Sequence, residues 1–184
     1  MTAKIKYLVL LRGINVGGKN IIKMDELKML FETLNFSDVQ TYIQSGNVIF
    51  NDDEPDKSKL KIKIEEALFR KLNNKIAVSL LTFPEIKKII DEKPENFGEN
   101  NENKYDVIYL IEPLTSNAAI KEIKTREGVD KIYEGGKVLY ISRCMKNWTK
   151  SYFSKIMTTS IYPDITIRNW NTTKKLYQLM KEKQ

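Results

Sequence analysis

The densest concentration of residues able to meet an anion is Leu11-Arg12-Gly13-Ile14-Asn15-Val16-Gly17-Gly18-Lys19-Asn20. Glycine lets a backbone turn sharply and aim several amides at one point, and Arg12 and Lys19 add charge. Gly13 to Asn20 reads as GxxxxGK followed by Asn, one residue short of a P-loop. A P-loop ends in Ser or Thr, whose hydroxyl reaches magnesium. Asn20 has no hydroxyl, the apolar stripe of the next helix starts only at Met24, and no clear partner strand ends in the required Asp. Nucleotide hydrolysis is therefore set aside. A second donor-rich segment, Gln44-Ser45-Gly46-Asn47, is a tight turn between two short strands. Together, Arg12, Gly13, Asn15, Gly17, Gly18, Lys19, Gln44, Ser45 and Asn47 form a set that suits phosphate, carboxylate or a polar base edge. Ser45 lacks a histidine to activate it, so the set holds no nucleophile. The competing reading is that these side chains cap and brace one another's loops.

A second cluster combines cations with aromatics: Arg143, Lys146, Trp148 and Lys150, then Arg168, Asn169 and Trp170. Exposed aromatics among cations stack on bases while the cations meet phosphates. Trp is mostly buried in folded proteins, so the reading taken is that both rings fill the core. Asn169 and the pair Asn171-Thr172 read as helix-capping residues, with Asn171 capping the last helix. Cys144, the only cysteine, reads as a small buried side chain rather than as a reactive thiol.

The 184 residues contain no histidine. That removes the commonest neutral-pH general base and the commonest metal ligand. Histidine-dependent hydrolases are excluded, and a structural zinc site cannot be assembled from one cysteine. The composition points to no cofactor and no metal. A single cysteine also forbids an internal disulfide, in keeping with a reducing, cytoplasmic compartment. No apolar run is long enough to span a membrane and the first residues do not read as a signal peptide, so no membrane partner is expected.

The elements that must position these residues recur in order. Lys4 to Leu11 is a strand. Met24, Leu27, Leu30, Phe31 and Leu34 are a helical stripe. Val39 to Ile43 and Val48 to Phe50 are strands, and Leu60, Ile64, Leu68 and Leu72 a second helical stripe, although Leu60-Lys61-Ile62-Lys63-Ile64 also alternates like a strand. Ala77 to Leu81 is a fourth strand, and Thr82-x-x-Glu85 opens a short helix as a capping box. This is the βαββαβ order of a ferredoxin-like lobe. In that order the first two strands run parallel, which brings the Arg12–Asn20 loop and the Gln44–Asn47 turn to one edge. The order restarts after an Asn-rich polar stretch: strand Val107 to Ile111, helix Ala118 to Lys124, strands Lys131 to Tyr133 and Val138 to Ile141 around Glu134–Lys137, a helix from Ser151 to Met157, strand Ile165 to Ile167, and a last helix. The expected fold is α+β, with two ferredoxin-like lobes in tandem, residues 1–92 and 105–184, antiparallel or mixed sheets with helices on one face, and a linker over 93–104.

The net charge of +7 is polarised. Residues 137–184 carry ten Lys/Arg and two Asp/Glu, whereas residues 1–136 carry 21 and 22. Such asymmetry favours an anionic partner, or else a solvated face.

Leu11-Arg12-Gly13-Ile14-Asn15-Val16-Gly17-Gly18, Tyr42-Ile43-Gln44-Ser45-Gly46-Asn47 and Thr166-x-Arg168-Asn169-Trp170-x-Thr172 together resemble the bacterial family called domain of unknown function 1697. The resemblance implies a cytoplasmic bacterial protein with paired ferredoxin-like lobes and implies no activity. The expected function is a non-catalytic anion-binding module for nucleic acid or a phosphorylated small molecule, using the Arg12–Asn20 loop and the Gln44–Asn47 turn. The alternatives are an enzyme on a phosphorylated or carboxylated metabolite, with Lys19 or Arg12 binding and Glu112 as base, and a protein-interaction adaptor with an exposed apolar patch.

Overall fold

The computed structural model describes residues 4–182. The chain divides into two compact units: one runs to Ile86 and takes in the chain from Leu176, and the other is Lys87–Lys175.

The first unit contains β1 (Ile5–Leu11), α1 (Met24–Thr33), β2 (Ser37–Tyr42), β3 (Asn47–Asp52), α2 (Lys57–Leu72) and β4 (Val78–Thr82). Its sheet has the order β2-β3-β1-β4 with every neighbouring pair antiparallel. That is the ferredoxin-like arrangement expected from the element order. Tyr7, Val9 and Leu11 of β1 and Val48 and Phe50 of β3 share a core with Leu27, Phe31, Leu60, Ile64 and Leu68. The ambiguous alternation in 60–64 resolves as helix. Leu60, Ile64 and Leu68 are buried at i,i+4 spacing while Ile62 faces solvent, and Asp56 caps the start by accepting from the Ser58 amide at 2.9 Å. α3 (Phe83–Asp91) follows directly. Glu85 reaches back to the Thr82 amide at 2.8 Å, but the Thr82 hydroxyl donates to the same carboxylate instead of accepting from the helix. Half of the capping box is therefore present.

Ile43 adopts φ 47°. A β-branched residue in the left-handed region costs about 1–2 kcal/mol, whereas Asn tolerates it. Since Ile43 is exposed, Ile43→Asn should raise the urea midpoint by an amount equivalent to about 1 kcal/mol.

The second unit repeats the plan with β5 (Asn103–Leu110), α4 (Ser116–Glu122), β6 (Asp130–Gly135), β7 (Val138–Cys144) and β8 (Ile165–Asn169), and ends within α5 (Trp170–Lys181), whose residues from Leu176 belong to the first unit. The sheet order β6-β7-β5-β8 is again antiparallel throughout. The helix expected over 151–157 is absent. Met145–Lys150 and Phe153–Thr158 form two short 3₁₀ turns instead. The cause is competition from side chains for the backbone groups. Buried Asp130 takes the Ser151 hydroxyl at 2.6 Å and the Tyr152 amide at 2.9 Å, and Ser151 Oγ then accepts from the Phe153 amide. Phe153, Ile156 and Ile161 still plug the core beside Ile108, Leu139 and Ile141.

The last helix also differs in its cap. α5 begins at Trp170, and Asn169, not Asn171, accepts from the Asn171 amide at 2.9 Å. Among residues 93–104, Phe97 is buried and meets Tyr105, Tyr140 and Trp170 edge-on, with ring centres 4.8–5.3 Å apart.

Candidate functional site

At the first unit's loop edge, topology brings the two donor-rich segments together as expected. Leu11 N donates to Gly46 O at 2.8 Å, and Asn15 Nδ2 donates to Gln44 O at 2.9 Å. Of the side chains predicted as ligands, Asn15, Ser45 and Asn47 spend polar groups on the loops themselves. Asn15 Nδ2 also donates to Ile22 O at 3.0 Å while its Oδ1 accepts from Ile22 N at 2.9 Å. Asn20 ties Gly13 O at 2.9 Å, and Asn74 donates to Asn20 Oδ1 at 2.8 Å. Asn47 is fully buried and donates to Tyr42 O and Ser45 Oγ, each at 2.9 Å. The exposed part is narrower. Val16 to Lys19 form a tight reversal, closed by Lys19 N donating to Val16 O at 3.1 Å. Gly17 and Gly18 have φ 59° and 73°, a pairing that a type I′-like turn requires and L side chains resist. Gln44 is exposed, whereas Arg12, Gly13 and Ser45 are half-buried.

The basic-aromatic cluster does not assemble as one surface. Arg168 is buried and donates to Thr166 Oγ1 and Ile167 O; burial pulls its pKa down to about 10. Arg143 pairs with buried Asp106 and lies over the Phe153 ring at 4.4 Å. Lys146 pairs with Glu102 at 2.6 Å. Trp170 is in the core, as expected, but Trp148 is 61% exposed, against expectation, and Lys150 is exposed beside it in the chain. The first 3₁₀ turn buries none of its residues, so nothing covers that ring within the turn. Cys144 is half-buried.

The second unit also holds a groove of about 470 Å³, which the sequence reading missed. Its walls come from the 98–105 segment, the first 3₁₀ turn and the β8–α5 junction. Asn100, Asn101, Asn103, Asn169 and Asn171 supply amides, Lys104 and Lys174 supply charge, and Tyr105, Met145 and Trp170 supply apolar surface. Asn100 accepts from the Glu102 amide at 2.8 Å, and Asn169 Nδ2 donates to Tyr105 O at 3.2 Å. These bonds hold the walls together. No Asp or Glu lines the groove, and the first turn of α5 is free of acids, so the positive end of its dipole is not neutralised. The signal that would have revealed it is an aromatic, Phe97, inside a polar run otherwise read as a linker.

Among the described residues, no group of three or more His, Cys, Asp or Glu is placed to hold a metal, and no helix is long and apolar enough to cross a membrane.

A family model described as "Protein of unknown function" (DUF1697) matches residues 5–140. This span includes the loop and turn motifs, while the Thr166–Thr172 motif lies beyond it. Comparison with curated proteins finds no match. Among solved structures, the conserved bacterial protein SP0830 from Streptococcus pneumoniae superposes with a TM-score of 0.86 at 26% identity, over 98% of this chain and 100% of that one.

Proposed function

The chain belongs to the DUF1697 family of proteins of unknown function, a membership that specifies no chemistry, and from the geometry of the second unit we propose that it binds a phosphorylated ligand, a nucleotide or the phosphates of a single-stranded nucleic acid, in the Asn-lined groove. The observation that carries this reading is a groove with two lysines and five asparagines and no carboxylate among its lining residues. A volume of 470 Å³ lies in the range of small-molecule sites. Lysines act as point charges for phosphate, and amides discriminate the polar edges of a base or sugar. Met145 lines the groove, and Trp148, three residues on, offers an exposed ring next to Lys150. A base leaving the groove in that direction would stack there. The polar loop edge of the first unit, whose asparagines are engaged in bracing, is the weaker ligand site.

Calorimetric titration with inorganic phosphate, AMP and a short oligodeoxythymidylate tests this reading. Lys104→Ala/Lys174→Ala should weaken binding of all three by about tenfold. Trp148→Ala should weaken only the oligonucleotide, by about 1–3 kcal/mol. Affinity unchanged in the lysine variant would remove the groove from the interaction.

A further inference from the structure

We infer that the indole N–H of Trp170 is a ligand-binding donor, and that with the Lys174 ammonium it seats the ligand's phosphate against the start of α5, a placement that rests on the groove reading above. Trp170 is only 5% exposed, yet it lines the groove. An indole nitrogen donates and cannot accept. A donor enclosed by the fold and left without an acceptor is costly, so folded proteins keep few of them. Trp170 Nε1 has no hydrogen-bond partner among the described residues. Of the partnerless side-chain nitrogens and oxygens there, only Arg143 Nε is shut off from solvent. Nε1 therefore keeps an opening on a side chain that is otherwise enclosed. Gly98 shows which end of the ring borders the groove. Both residues line it, and a Cβ on Gly98 would fall against Nε1 and 2.5 Å from Cδ1, with the benzene side farther off.

The surroundings decide which acceptor fits. Lys174 follows Trp170 by four residues on α5, which puts the two on one helix face. It also lines the groove and enters no ion pair among the described residues. The first turn of α5 carries no acid. The acids next in the chain to a lining residue are Glu99, Glu102 and Asp106, and each is paired: Glu99 with Lys93 at 3.5 Å, Glu102 with Lys146 at 2.6 Å, and Asp106 with Arg143. An oxygen accepting from the indole thus lies beside an unpaired ammonium and the positive end of a helix dipole. That setting favours a charged phosphate oxygen over the neutral carbonyl of a base.

The indole N–H gives its own proton–nitrogen NMR signal. The chain has two tryptophans, so Trp148→Phe assigns both signals in the free protein. Titrating the full chain with inorganic phosphate and with AMP should move the Trp170 signal downfield along a saturating curve. Adenosine, which has no phosphate, should leave it in place. Lys174→Ala should raise the phosphate midpoint about tenfold. Trp170→Phe, which keeps a ring and loses the donor, should weaken phosphate about tenfold in calorimetry. The NMR titration leaves Trp170 intact, so it decides even where that variant fails to fold. Phosphate that binds, is weakened by Lys104→Ala/Lys174→Ala and yet leaves the Trp170 signal unmoved overturns this inference and keeps the groove. A signal moved by adenosine and not by phosphate also overturns it, by giving the N–H to the base. Absence of binding, or binding indifferent to the two lysines, overturns the groove reading as well.

Discussion

Gly98→Ala is expected to destabilise the second unit by about 4 kcal/mol. Gly98 has φ 88°, and a Cβ placed on it would lie 2.5 Å from Trp170 Cδ1 and closer still to Nε1. Trp170 cannot easily yield, because it is buried and packed edge-on against Phe97 at 5.3 Å. Backbone strain contributes about 1–3 kcal/mol and overpacking against the ring a similar amount. Urea unfolding followed by tryptophan fluorescence reads the loss directly. A midpoint unchanged from wild type would mean that the Gly98 backbone does not pin Trp170, and that this wall of the groove is loose.

The second large effect is alkaline. Tyr109 is buried, and its hydroxyl donates to Thr173 Oγ1 at 3.0 Å. Burial pushes its pKa up to about 12 from an ordinary 10.0. Burial, followed by the nearby Glu92 carboxylate, raises Tyr140 further in the same direction; its hydroxyl donates to Ile89 O at 2.7 Å. In both cases the folded state holds the phenolic proton more tightly than the unfolded chain. Their contribution is fully present below about pH 10 and is lost as pH rises above it, because only the unfolded chain then releases the protons. For Tyr109 alone, two units between about pH 10 and 12 correspond to about 3 kcal/mol. The unfolding temperature should therefore fall steeply above about pH 10, together with the appearance of tyrosinate absorbance. Tyr109→Phe should flatten the fall, at a cost in stability at neutral pH from the lost Thr173 hydrogen bond. A slope unaffected by Tyr109→Phe and Tyr140→Phe would assign the alkaline transition to other groups.

The Asn-lined groove was hidden because its walls are remote in sequence. Asn100 and Asn103 stand in a stretch whose composition reads as solvated loop, and only the antiparallel pairing of β5 with β8 sets them beside Asn169. Trp148 and Trp170 sit in similar local sequence, yet one is exposed and the other buried. The difference comes from the tertiary environment: Trp170 starts a helix packed on Phe97, whereas Trp148 lies on a 3₁₀ turn that buries nothing. The loop-edge asparagines looked like ligands because a donor list does not reveal which donors are already engaged. Asn15 and Asn47 turned out to bond backbone.

The order of elements and, through it, the sheet topology are written in local sequence. Apolar periodicity of two and of three to four is a local property, and βαββαβ with right-handed crossovers leaves few ways to arrange four strands. That order also determined that Arg12–Asn20 and Gln44–Asn47 meet, since parallel first and second strands end at one edge. Which polar groups are spent and which face outward was settled by long-range packing, which also replaced the helix expected at 151–157 with 3₁₀ turns. Those outcomes depend on partners far along the chain: Asp130 reaches residues 151 and 152, Gln44 meets Asn15, and Trp170 meets Phe97. Burial and hydrogen-bond satisfaction are decided by such long-range neighbours, which no local pattern encodes.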